Sequence, residues 1–312
     1  MLESPQLRVE CAPEQGFSIT SLRDRVSGAE ALWQWTARPV APCSRALGPA
    51  GDASIETFID VFVGAWFEMF PVVGYPAPGD PTSMLHGELV RLPWELLDRA
   101  ATAVEAQVDT VRSPFRVRRR LELAGPELRI EETVENIGAE AAPYLWGHHP
   151  CLRRQTFAGG RLELAVAEAH IPAPAFDPLH AVLRPGERVD WPNARRHDGE
   201  LLDLRDIPAE ADGRHDHVCV TPVEGRARVT APGTGRALTL EWDLEHFPQL
   251  LIWQNFRAPG GWPFWRGADT FALEFTSNPG RSVPDAQAAG AVRLLRAGER
   301  LEAATSVRWE AM

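Results

Sequence analysis

The chain has 312 residues, enough for one large β or α/β domain or for two smaller ones. Its composition, 44% hydrophobic and 24% charged, is that of a globular protein, and a formal charge of -11 excludes a binder of nucleic-acid backbones or anionic membrane surfaces. All 32 basic side chains are arginine, which also excludes Schiff-base chemistry, lysine-bound pyridoxal phosphate and the phosphate-loop lysine.

In chain order the pattern is strand after strand. Leu7 to Glu10 and Phe17 to Leu22 alternate apolar and polar residues, with a turn from Asp24 to Gly28. Trp33 to Asp60 is loop-rich, and Pro39, Pro42, Pro49 and Gly51 break any long helix there. An apolar, aromatic segment from Val61 to Pro71 carries Trp66, Glu68 and Phe70, and Leu85 to Trp94 reads as a further strand with His86 at its start. Four strands follow, Thr102 to Thr110, Phe115 to Leu123, Glu127 to Asn136 and Tyr144 to His149. The charges of the third, and the run Arg118-Arg119-Arg120 in the second, read as the solvated side of a sheet.

Arg161 to Val166 is a strand, and Ile171 to Pro192 a proline-rich excursion. Short strands then recur at Val218 to Thr221, Ala227 to Thr230, Ala237 to Asp243, Leu250 to Phe256 and Thr270 to Thr276, and Arg300 to Trp309 closes the set. Helical periodicity is hard to find, and no linker separates two sets of strands. The expectation is an all-β chain, one large antiparallel β-sandwich over residues 1–312.

The four cysteines are scattered without a CxxC pair, and no basic-then-apolar leader opens the chain, so a cytoplasmic location is expected. Within the last long strand, Phe271, Leu273 and Phe275 share one face and Glu274 lies on the other, just before a turn. A lone Glu on a strand is more often solvated, but a half-enclosed one makes a good proton acceptor, because desolvation raises its pKa toward working pH. Candidate partners are His86 before Gly87, and His149 between His148 and Pro150. Pro150 places His149 at a strand end or edge, because proline cannot continue a central ladder. His215 and His217 share a strand face, but too few further ligands accompany them for a metal site. Trp66, Trp94, Trp146, Trp253, Trp262 and Trp265 all lie in or beside these segments, and indole rings stack well on the C-H face of a sugar.

Together these pieces resemble the galactose mutarotase-like superfamily, the aldose 1-epimerases and their relatives. The matching segments, in the order found there, are Leu85-His86-Gly87, Trp146-Gly147-His148-His149-Pro150, Asp216-His217-Val218 and Leu273 to Pro279. The resemblance implies a β-supersandwich with a cofactor-free site on its concave face. It implies Glu274 as base, His149 as acid, His86 as the histidine that holds and polarises the sugar, and Asp216 as a carboxylate for sugar hydroxyls. Trp253-Gln254-Asn255 resembles the strand lining the pocket, and Arg91 is similar to an arginine of the hexose-6-phosphate branch. Cys151 stands where an aromatic residue often follows His-Pro, and Phe275 where a proline follows the catalytic Glu.

Exchange of anomers needs a proton taken from the C1 hydroxyl while another reaches the ring oxygen. An ionised Glu274 facing a protonated His149 would do this without metal or cofactor. The expected ligand is a free or phosphorylated monosaccharide. The alternatives are a non-catalytic carbohydrate-binding protein, and a glycoside-cleaving enzyme using Asp216 or Glu68 as a second carboxylate.

Overall fold

The computed structural model describes residues 1–35 and 40–312, so Pro39, expected to break a helix, lies outside the described residues. Two antiparallel sheets dominate. The first has nine strands in the spatial order Leu2–Glu3, Leu7–Ala12, Ser18–Asp24, Trp66–Met69, Gly147–Arg153, Asp269–Thr276, Gln249–Phe256, His215–Pro222 and Val166–His170. The second has eight, in the order Leu162–Glu163, Arg226–Ala231, Arg236–Trp242, Arg300–Ala311, Glu127–Asn136, Phe115–Ala124, Ala103–Asp109 and Glu95–Arg99. The sheets face each other, and inward-pointing apolar residues from both form the main core, as in the stacking of Phe275 on Trp242 across the gap. The all-β antiparallel sandwich read from the sequence is the architecture found.

The outer face of the first sheet is also covered. A second apolar cluster, built from Phe67, Met69, Trp253 and Ala272 beneath and Trp33, Phe58, Phe62 and Phe264 above, seals it from water. Strands covered on both faces lose alternation, and all eight residues of Asp269–Thr276 are buried.

Part of this cover is an α-helix, Ser54–Val61, inside the stretch read as loop. Its signal is Ile55, Phe58, Ile59 and Phe62, spaced i, i+3, i+4 and i+7, an apolar stripe that one short helix lays against the sheet. The expected strand from Leu85 to Trp94 is instead a turn leading into a 3-10 helix, Leu89–Arg91. The chain there runs close to Phe70: a Cβ at Gly87 would stand 2.2 Å from the Phe70 carbonyl oxygen, and both His86 and Gly87 have positive φ. Only glycine fits at 87, and the turn it permits aims His86 at the first sheet.

Pro150 is neither at a strand end nor at an edge. It lies within Gly147–Arg153, the fifth of the nine strands. The sheet accommodates it by a gap: toward Asp269–Thr276, Gly147 pairs with Thr276 and the pairing resumes only at Cys151 with Ala272.

The charged strands were also misread in part. Arg119 and Glu132 face inward, at 1% and 3% exposure, where Arg119 donates to Glu132 at 2.6 Å and to Glu68 of the opposite sheet at 2.7 Å. Their flanking residues, Arg118 among them, do face water, so the alternation was right and only the inward charges at Arg119 and Glu132 were missed. No helix among the described residues is long and apolar enough to cross a membrane.

Candidate active site

Register assembles the site. Gly147 faces Thr276 and Cys151 faces Ala272, so the same register sets His149 across from Glu274 at the gap that Pro150 makes. Phe67 pairs with His149 on one side, and Leu251 pairs with Glu274 on the other. These four residues form one row across the outer face of the sheet. The next row holds Cys151, Ala272, Trp253 and His217.

The imidazole of His149 is wedged in place. Its Nε2 lies 3.3 Å from Glu274 Oε1, its Nδ1 lies 3.3 Å from the Cys151 thiol, and its ring stacks on Phe67 at 4.5 Å. His86 closes from the side, with ring centroids 5.5 Å apart, and is itself held by the edge of Phe58 at 4.8 Å. These groups open on a cavity of about 80 Å³, lined also by Phe58, Phe62, Tyr75, Phe176, His217, Trp253, Phe264 and Arg281. At roughly 10–15 Å³ per water, it has room for about six waters, so whatever enters must be small.

Burial sets the charges. Glu274 is 3% exposed and its carboxyl is pushed up to about 8, while the same burial brings His149 down to about 3. His86 and His217 are likewise held well below the usual imidazole range by burial, and the Cys151 thiol is raised by burial and then by Glu274. A resident imidazolium at 149 facing an ionised Glu274, the expectation from sequence, is therefore not the state that burial favours. At neutral pH the pair keeps a single proton, on the carboxyl.

Of the eight residues singled out, four meet here: Glu274, His149, His86 and Trp253. The other four do not line the cavity. Asp216 pairs with Gln254, and Gln254 with Phe271, on the opposite face of the sheet from Glu274. The Asp216 carboxylate instead accepts the backbone N–H groups of Val182 and Leu183, fixing the loop that precedes them. Trp66 points into the main core and donates to His148 Nδ1 at 3.3 Å. Arg91 is 5% exposed and donates to Ser54 O, Leu85 O and Thr57 Oγ1, tying the helix to the His86 turn. Glu68, weighed as a second carboxylate, is bonded to Arg119 and Trp146 between the sheets.

His217 takes the place in the cavity that Asp216 was expected to hold; its Nδ1 is buried without a partner. A shift of one residue along a strand exchanges faces, and with both faces apolar nothing in the local pattern chooses between them. His215 is not free for metal: Trp253 donates to its Nε2 at 2.8 Å, so its hydrogen sits on Nδ1, 3.1 Å from Asp177. Among the described residues no group of three or more His, Cys, Asp or Glu is arranged to hold a metal ion.

Neither a protein-family model nor a curated protein matches the sequence. Solved structures do match. A galactose mutarotase-like protein from Lactobacillus casei superposes with a TM-score of 0.65 at 18% identity, covering 99% of both chains. One from Clostridium acetobutylicum gives 0.67 at 14%, covering 99% of this chain and 94% of its own. A galactose mutarotase related enzyme from Lactobacillus acidophilus gives 0.65 at 13%, covering 99% and 96%. Over essentially its whole length, the chain has the galactose mutarotase-like fold.

Proposed function

We propose that the protein is an isomerase of the aldose 1-epimerase type, exchanging the α and β anomers of a monosaccharide by acid/base opening of the ring. The observation that carries this reading is the 3.3 Å contact of His149 Nε2 with Glu274 Oε1 inside the cavity, where burial raises the carboxyl and lowers the imidazole so that the pair holds one proton at neutral pH. Mutarotation needs one group to give a proton to the ring oxygen while another takes one from the C1 hydroxyl. A pair holding one proton meets both needs, and each transfer contributes roughly 10²- to 10⁴-fold.

In the state that burial favours, the protonated Glu274 is the donor and the neutral His149 the acceptor. The roles exchange on the return path, as they must for a reversible reaction. His86 and His217, with buried Nδ1 atoms lacking partners, supply hydrogen bonds to sugar hydroxyls. The names of the structural neighbours support the same reading. Arg91 gives no support to a 6-phosphate, because its guanidinium is used within the fold.

A non-catalytic carbohydrate-binding protein is the second reading, favoured by the largely apolar wall of the cavity. One variant separates the two. Glu274→Gln keeps the shape of the site and removes its ionisable proton, so catalysed mutarotation, followed by polarimetry, is expected to vanish while calorimetry still detects sugar. Wild-type protein that binds sugar without accelerating anomer exchange would establish the second reading.

A further inference from the structure

Two of the eleven tryptophans are conspicuously exposed, Trp262 at 53% and Trp265 at 71%, and both lie in one loop. Leu179, at 85%, and Phe176, at 38%, protrude from a second loop. The two loops touch, since a Cβ on Gly260 would stand 3.2 Å from His180 Cε1. Exposed large apolar groups gathered at one place mark a surface that is covered in use.

Both loops belong to the cavity. Phe264, between the two exposed tryptophans, enters its wall and packs 5.9 Å from Trp253, and Phe176 enters beside His217 at 5.1 Å. Asp177 anchors the second loop by holding His180 at 2.7 Å and His215 at 3.1 Å. In the first, Trp265 and Arg266 have φ of 49° and 61°, left-handed values that side chains adopt only when their surroundings impose them. The loop thus holds an unfavourable backbone while presenting an indole to water.

We propose that this rim is a second carbohydrate subsite, taking the next ring of a saccharide whose reducing end occupies the cavity. The proposal rests on the cavity being a sugar site and extends it: the ligand is a reducing oligosaccharide in preference to a single sugar. The cavity, at about 80 Å³, holds one small ring, and each of the two loops contributes a wall residue, Phe176 and Phe264, beside which its exposed apolar groups stand ready for a second ring. Flat indoles stack on the C-H face of a pyranose whatever its hydroxyl pattern, whereas the polar contacts that discriminate are those inside.

The test compares wild type with the double variant Trp262→Ala/Trp265→Ala. Mutarotation of glucose and galactose is measured against that of maltose and lactose, and quenching of tryptophan fluorescence is titrated with methyl β-maltoside, which is blocked at C1. The subsite requires a lower KM for the disaccharides in wild type and a rise of roughly three- to tenfold in the variant, with monosaccharide kinetics unchanged. Equal KM values for both classes, or a variant that shifts both alike, would overturn it. So would a concentration-dependent dimer that the substitutions dissolve, which would assign the patch to self-association. If no sugar is turned over yet the maltoside quenches wild type and not the variant, the isomerase reading falls and the subsite stands. If the maltoside does not quench wild type either, both fall.

Discussion

At the scale of the residue, the protonation of one pair decides the chemistry. If Glu274 and His149 kept ordinary pKa values, an ionised base and a cationic acid would coexist only between about 4.5 and 6.5. With Glu274 raised to about 8 and His149 lowered to about 3, the pair carries exactly one proton over that whole interval. The catalysed rate, corrected for the uncatalysed reaction, is therefore expected to stay level from about pH 4 to pH 7.5 and to fall tenfold per unit above about 8. Polarimetry across pH 4–10 checks this, and a decline beginning near 6.5 would restore His149 as the cationic acid. The two residues themselves were legible in the sequence, Glu274 from its parity in a strand and His149 from the His-Pro motif, although the edge position inferred from Pro150 was wrong. Their protonation was not, because it depends on cover supplied by Phe58, Phe62 and Phe264 from distant segments.

At the scale of the element, the same limit recurs with a different cause. Strand positions could be read because alternation and turn residues are local. The face a residue occupies could not be read where both faces are apolar, hence Asp216 in place of His217. Nor could inward charges be told from outward ones in Phe115–Ala124 and Glu127–Asn136. Arg119 there makes a fully buried cross-sheet ion pair with Glu68, and a second bond to Glu132. Burial, then the neighbouring Glu132, pushes the Glu68 carboxyl up to about 8, so that with Glu132 held low the cluster is close to neutral at pH 7. Removing its cation leaves a carboxylate uncompensated between the sheets. Arg119→Met is expected to lower stability by about 3–5 kcal/mol in urea unfolding. Adding Glu132→Gln should recover part of that loss, whereas a purely steric defect would be worsened by a second core change.

At the scale of the whole molecule, stability responds to pH through the groups the sandwich forces into an uncharged form. Glu274 and Glu68 have folded values near 8, so between the unfolded value of about 4.5 and 8 the folded chain keeps protons the unfolded chain releases. Their contribution is complete at low pH and is lost as pH rises through 8; Asp216, also raised by burial, acts in the same direction. His86, His148, His149 and His217 act oppositely. Each is lowered by burial, so below about 6.5 the unfolded chain takes up protons that the folded chain refuses, and stability climbs as pH rises to that value. Where the two trends overlap the four imidazoles outweigh the carboxyls, and above about 6.5 only Glu274 and Glu68 are known to act. Melting temperature should therefore peak near pH 6.5 and decline toward pH 8. Glu274→Gln is expected to make that alkaline decline shallower and, because Glu274 opposes the imidazoles from about pH 4.5 upward, the rise toward pH 6.5 steeper. If the decline is unchanged in the variant, the carboxyl at 274 is hydrated in the folded protein, and the dry, single-proton pair on which the catalytic proposal stands does not exist.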